Sequence, residues 1–306
     1  MSLRRLFLQQ AQAVSTDFIM EIKTDNTGTS NNDQFTIPTN TGTYLYDVTT
    51  SDGQTITGNT GDLTITFPSA GTYDINISGD FPWIYFNNGG DKSKLTDIKQ
   101  WGEISWANFS SAFYGCNSLT SVTVTDDPNL SGVIVLGGMF RNCTSMTTID
   151  VSNWDMSGQA YVSNMFNGCT SLTTLDVSTW DVSAFQFPQS MFQNCMSLAN
   201  LDVTSWNTSS VKNLSFFFFD CDLFDNDLSG WDISTCTNFS NFMASATGLS
   251  TPNYDATLIS WAAQSPSMNE VISFGGSQYT LGGAAEAART TLTTTYNWTI
   301  TDGGGI

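Results

Sequence analysis

The chain of 306 residues contains no histidine. That absence removes imidazole general bases, Ser-His-Asp triads and the commonest transition-metal ligand. Cationic residues are scarce: nine Lys and Arg stand against 28 Asp and Glu, for a formal net charge of −19. A surface of that sign repels nucleic-acid phosphate and anionic membrane faces, so neither is an expected partner. Charged residues of both signs make up only 12% of the chain, which leaves a polar surface made mainly of Ser, Thr and Asn with scattered Asp. No run approaches the roughly 20 apolar residues of a membrane span. In the opening MSLRRLFLQQAQAV, Gln9, Gln10 and Gln12 interrupt the apolar residues, and the remaining run is shorter than the apolar core of a secretory signal, about seven residues or more.

What the sequence has instead is a repeat. The segment MFNGCTSLTTLDVSTW at 165–180 recurs as MFRNCTSMTTIDVSNW at 139–154 and MFQNCMSLANLDVTSW at 191–206. Looser copies start at Ala112 and Phe217, and a truncated one at Phe242. The fifth residue of each copy is Cys116, Cys143, Cys169, Cys195, Cys221 and then Ala246, in steps of 27, 26, 26, 26 and 25 residues. A fixed step of this size predicts stacked turns. Alanine in place of the last cysteine points to a small buried position, so the cysteines read as free thiols behaving as small hydrophobes. Cys236 lies off this series and reads as a packing residue.

Before the repeats the apolar period is two: Phe18, Met20 and Ile22, then Leu63, Ile65 and Phe67, then Tyr73, Ile75 and Ile77. Short alternating runs separated by Gly, Asn, Asp and Pro predict an antiparallel β-sandwich. The stretch PSAGTYDINISG at 68–79 resembles the penultimate strand of polycystic-kidney-disease-type Ig-like domains, although Thr50, Ser51, Asp52 and Gly53 stand where that family often has a WGDG turn. Residues 81–107, rich in Trp83, Tyr85, Trp101, Ile104 and Trp106, read as a linker and N-terminal cap. After the repeats, Tyr254, Leu258, Ile259 and Trp261 fit one helix, and Ala284, Ala288 and Leu292 a second. Residues 271–274 and 298–300 read as short strands.

Counted from the cysteine, apolar residues fall at +3, +6 and +8, as Leu172, Leu175 and Val177 and as Met146, Ile149 and Val151. This is the C-x-x-L-x-x-L-x-V spacing of a leucine-rich repeat, and the whole MF-x-x-C-x-S-L-x-x-L-D-V-S-x-W-D pattern resembles the BspA-like leucine-rich-repeat surface proteins over residues 108–246. The segment that follows resembles their usual C-terminal module. The resemblance implies surface display and a role in adhesion or binding of macromolecules. The expected fold is therefore mixed: a β-sandwich (17–80) after a short docking arm (1–16), the cap (81–107), a leucine-rich-repeat solenoid with parallel strands (108–246), and a small α/β C-terminal cap (247–306).

Side chains flanking +6 and +8 must point outward from a parallel strand. They are Thr148, Asp150 and Ser152, then Thr174, Asp176 and Ser178, then Asn200, Asp202 and Thr204, and they form the expected binding face. The aspartates would stack about 5 Å apart, which requires screening by water, hydroxyls or a cation; a solvated face is the plain alternative. Asp220, Asp222, Asp225 and Asp227 crowd into eight residues, a density of hard oxygens that can hold Ca²⁺, though without the EF-hand order of ligands. Trp154, Trp180, Trp206 and Trp231 read as packing between turns rather than as a sugar-stacking row. Of Phe216, Phe217, Phe218 and Phe219, two rings are expected to be buried.

No carboxylate pair stands out for glycoside hydrolysis, so a non-catalytic role is expected, with a polysaccharide hydrolase as the enzymatic alternative and an oligomeric decoration subunit as the structural one. A surface-type protein without an export segment predicts a phage virion component, anchored to other virion or surface proteins through residues 1–80 and meeting a host-surface protein or glycan through the repeats. A bacterial cell-surface adhesin is the alternative.

Overall fold

The computed structural model describes residues 16–124 and 126–306. The expected docking arm at 1–16 lies, apart from Thr16, outside the described residues. The strands of the N-terminal half are β1 (Phe18–Lys23), β2 (Gln34–Ile37), β3 (Leu45–Thr50), β4 (Thr55–Asn59), β5 (Leu63–Thr66), β6 (Thr72–Asp80), β7 (Leu95–Gln100) and β8 (Ser121–Val122). Alternation places Phe18, Met20 and Ile22 of β1 and Ile75 and Ile77 of β6 in one core, each fully buried.

Six of these strands form one sheet in the order β4-β3-β6-β1-β7-β8, while among the described residues β2 and β5 pair only with each other. The expected β-sandwich is thereby corrected: a six-stranded sheet carries a two-stranded ribbon, and two sheets of comparable size are not formed. Apolar alternation marks which face is buried but not which strand lies alongside. The outer neighbour of β1 is β7, supplied by the 81–107 segment and running antiparallel to it. Parallel to β7 lies β8, which belongs to the first repeat.

A buried charge network holds the β1–β2 loop against this sheet. The Lys94 ammonium is fully buried and donates to the carbonyls of Ser30 (3.1 Å), Asn31 (2.7 Å) and Gln34 (2.9 Å) and to Ser30 Oγ (2.8 Å). Asp91 accepts from the backbone of Thr29, Ser30 and Thr36 and from Ser30 Oγ at 2.6 Å. Burial alone would raise the Asp91 pKa, but the hydrogen bonds from Ser30 and Thr36 and the Lys94 charge outweigh it and hold it below the ordinary carboxylate range.

The repeats do not build a leucine-rich-repeat solenoid with one parallel strand per turn; that expectation is also corrected. Beyond β8, parallel pairing among the described repeat residues shrinks to isolated bridges at Thr148–Thr174 and Thr174–Asn200. Two local features explain it. Just after the bridging position, Asp150 Oδ1 accepts from the Ser152 N–H and hydroxyl (3.0 and 2.7 Å), and Asp176 with Ser178 and Asp202 with Thr204 repeat the arrangement. Such Asx turns bend the chain away from an extended ladder. On the opposite side, each copy holds two left-handed residues four apart, such as Gly138 and Asn142 (φ +66° and +56°) or Asn164 and Gly168 (φ +58° and +77°). Consecutive turns result, not strands.

These turns are nevertheless bonded from copy to copy. Leu136, Gly138, Phe140 and Asn142 donate their N–H groups to the carbonyls of Tyr161, Ser163, Met165 and Asn167 at 2.7–3.1 Å. Inside, Phe113, Phe140, Phe166, Phe192 and Phe218 stack with successive centroids 5.4, 5.8, 6.0 and 5.9 Å apart. All six cysteines are buried free thiols.

The C-terminal part contains α1 (Thr251–Ala263), β9 (Val271–Ser273), β10 (Gln278–Tyr279), α2 (Ala284–Thr294), β11 (Thr299–Thr301) and β12 (Gly304–Gly305). Parallel pairs β9–β11 and β10–β12 form two small sheets. Helix α1 buries Tyr254, Leu258 and Trp261 but leaves Ile259 43% exposed. Met243 N–H bonds to the Ser273 carbonyl (2.9 Å) and Trp261 Nε1 to the Leu228 carbonyl (3.0 Å), which seats this unit on the last copies. Among the described residues no helix is long and apolar enough to cross a membrane.

Candidate functional site

The outward residues of the repeats lie where the period places them. Leu172, Leu175 and Val177 are buried, while Thr174, Asp176 and Ser178 are exposed. Because Asp150, Asp176 and Asp202 each spend one oxygen on an Asx turn, the second oxygen is left to solvent. Hydrogen bonds from the Ser152 and Thr204 hydroxyls and N–H groups hold Asp150 and Asp202 below the ordinary carboxylate range. Asp150 and Asp202 are therefore held in the ionised form, and the hydroxyl and N–H dipoles offset part of the self-repulsion of the column.

A groove of about 550 Å³ opens on this face. It joins Thr174, Asp176, Asn200, Asp202 and Thr204 to Asp225 and Asp227 of the irregular fifth copy. The remaining expected face residues, Thr148, Asp150, Ser152 and Ser178, do not line it. Two polar lining residues were not singled out by the repeat pattern: Asn226, whose Oδ1 accepts from Val203 N–H (3.3 Å), and Asn253 of α1, which donates to Asp225 Oδ1 (2.8 Å). The fifth copy departs from the spacing of the others, and Asn253 belongs to a different element, so neither appears when outward positions are counted.

The four aspartates considered for Ca²⁺ divide among separate tasks. Asp225 accepts from Ser250 N–H (2.8 Å), Ser250 Oγ (3.0 Å) and Asn253 at the start of α1, where a negative charge also meets the positive end of the helix dipole. Asp227 accepts from Ser229 N–H (2.8 Å), Asp222 accepts from Thr247 Oγ1 (3.4 Å), and Asp220 donates its backbone N–H to the Ala244 carbonyl (3.1 Å). Among the described residues no group of three or more Asp, Glu, Cys or His is placed to hold a metal ion.

The tryptophans are packing residues. Trp154, Trp180, Trp206 and Trp231 are buried, and Trp180, Trp206 and Trp231 donate Nε1–H to the carbonyls of Val151, Val177 and Val203 one copy back, at 2.8, 3.1 and 3.0 Å. Phe217 and Phe218 are buried, while Phe216 and Phe219 are half-buried and meet at 5.6 Å.

No curated protein and no solved structure matches this chain. One family model matches it twice, over residues 85–199 and 160–274. The two matches are offset by 75 residues, close to three repeat steps, and together span more than half of the chain. The chain therefore belongs to the family described as Mycoplasma protein of unknown function, DUF285.

Proposed function

We propose that this protein is a non-catalytic, surface-displayed recognition protein, and that the acidic groove of the repeat face receives a cationic segment of a partner protein. One observation carries the reading: Asp176, Asp202, Asp225 and Asp227 converge on a single open groove with Asn200, Asn226 and Asn253 between them. Carboxylates with amide neighbours match Lys and Arg side chains in charge and in hydrogen-bonding capacity. Complementary charge of this kind steers association and selects partners. Asp202 is held low by its Thr204 contacts, the opposite of the raised carboxyl that a glycoside hydrolase needs as its general acid, which favours binding over hydrolysis.

The backbone bonding fits a projecting role. Strands β1, β7 and β8 tie the N-terminal sheet to the first repeat, so a base anchored through residues 17–80 would orient the repeat face without a flexible joint. The same arrangement would serve a virion or a bacterial surface. The Mycoplasma family description favours the bacterial form.

Calorimetric titration with a soluble decalysine peptide tests the groove. Binding is expected at low salt, with affinity falling at least tenfold in the Asp176→Asn/Asp202→Asn variant. Equal affinity of variant and wild type would mean that the peptide senses only the overall charge, and the groove reading would fail.

A further inference from the structure

A second groove, of about 470 Å³, runs along the other side of the repeats and shares no residue with the acidic one. Its floor follows the left-handed position immediately before each repeat cysteine. Reading up the stack, that position is Asn88, Gly115, Asn142, Gly168 and Asn194, with φ of +60°, +83°, +56°, +77° and +60°. Asn88 stands one step below the first cysteine copy and is bonded to it through its N–H to the Tyr114 carbonyl (2.8 Å). At two of these steps the glycine makes room for the amide below it: a Cβ on Gly115 would overlap Asn88 Oδ1, and one on Gly168 would overlap Asn142 Oδ1. The Asn88 and Asn142 amides therefore lie across the glycine of the next copy, and amides recur at every second step from Asn88 to Asn194.

The chemistry of this groove differs from the rest of the surface. Among the described residues no carboxylate lines it, in a protein of net charge −19, and Lys92 is its one charged lining residue, bonded to Asn88 Oδ1. The side-chain amides of Asn117, Asn142 and Asn194 make no hydrogen bond within the described residues, so donors and acceptors are both available there. Met196, 42% exposed, adds an apolar, deformable contact beside them. A row of free amides with one soft apolar side chain matches a ligand that has many hydroxyls, little charge and apolar C–H faces.

We propose that this groove binds a neutral, extended glycan chain laid along the stack. Two steps of a backbone-bonded stack span about 10 Å by interstrand spacing, close to the length of one disaccharide unit in an extended chain whose residues alternate in orientation. Every second sugar would then present the same hydroxyls to Asn88, Asn142 and Asn194 in turn. An anionic glycan is disfavoured by the net charge of the protein.

The test is calorimetric titration of the full chain with cellohexaose, chitohexaose and maltohexaose. At least one of the two extended hexasaccharides is expected to bind, with curved maltohexaose at least tenfold weaker. The Asn142→Gly/Asn194→Gly variant keeps a residue type already used at alternate steps, so it should melt like wild type and lose at least tenfold in affinity for the bound hexasaccharide. The Asp176→Asn/Asp202→Asn variant should bind that sugar like wild type, which separates this site from the acidic groove. The proposal is overturned if neither extended hexasaccharide binds, if maltohexaose binds as well, or if the groove variant is unaffected.

Discussion

The Cys169 thiol donates a hydrogen bond to the Phe140 carbonyl of the preceding copy, at 3.1 Å in a fully buried setting. Cys143, Cys195 and Cys221 make the same contact with Phe113, Phe166 and Phe192 at 3.2, 3.2 and 2.9 Å. This explains why a small residue with a donor recurs there: alanine fills the space but removes the thiol donor, leaving the carbonyl only the backbone N–H of its own copy's cysteine, as from Cys143 to Phe140 (3.1 Å). The Cys169→Ala variant is expected to lose about 1 kcal/mol, read from the urea midpoint at unchanged slope. Burial pushes these thiols well above the ordinary cysteine range. Thiol reagents at pH 8 should therefore leave the native protein unlabelled and label all six cysteines in denaturant. Rapid native labelling of Cys169 would contradict this packing.

Gly168 and Asn142 are coupled by shape. Gly168→Ala places a Cβ on a residue at φ +77° and drives it into the Asn142 amide. A cost of about 2 kcal/mol is expected, of which about 1–2 kcal/mol is the left-handed backbone. Removing the amide with Asn142→Gly should recover the steric part, so the double variant should be more stable than the sum of the single effects. Additive losses in a double-mutant cycle would mean that the Asn142 side chain does not lie over Gly168.

Acid should loosen the N-terminal sheet through Asp91. Its folded pKa is depressed, so its contribution is complete above the unfolded carboxylate value of about 3.9 and is lost as pH falls through the folded value. Asp91→Asn leaves the buried Lys94 ammonium without its carboxylate and is expected to cost about 3 kcal/mol at neutral pH. The variant should also show a shallower loss of melting temperature below about pH 4. A wild-type acid slope in the variant would remove Asp91 from this role.

The repeat step was legible because Cys, Leu and Val recur together, and backbone bonds such as Phe140 N–H to the Met165 carbonyl join the copies that this step defines. Burial of Leu172, Leu175 and Val177 followed from side-chain alternation for the same reason. The strands expected around them were not formed, because Asp176 and Ser178 prefer a local turn that a purely apolar count ignores. The signal that marks the turns was present in the small or amide residues five and one positions before Cys116, Cys143, Cys169 and Cys195, such as Gly138 and Asn142 or Asn164 and Gly168. Their left-handed backbone was not anticipated. Pairing of β7 with β1 was not legible, since residues 95–100 alternate no more clearly than a capping segment would. In the acidic groove, Asp176 and Asp202 were legible from the period, whereas Asn226 and Asn253 enter only through three-dimensional proximity.

Recognition through the acidic groove is tested most directly by mapping amide chemical shifts of the isotope-labelled protein during titration with decalysine. Shifts are expected to concentrate at Asp176, Asn200, Asp202, Asn226 and Asn253, to vanish at high salt, and to be absent in the Asp176→Asn/Asp202→Asn variant. Shifts spread evenly over all exposed aspartates, including Asp155 and Asp181 outside the groove, would contradict a built binding site on this face.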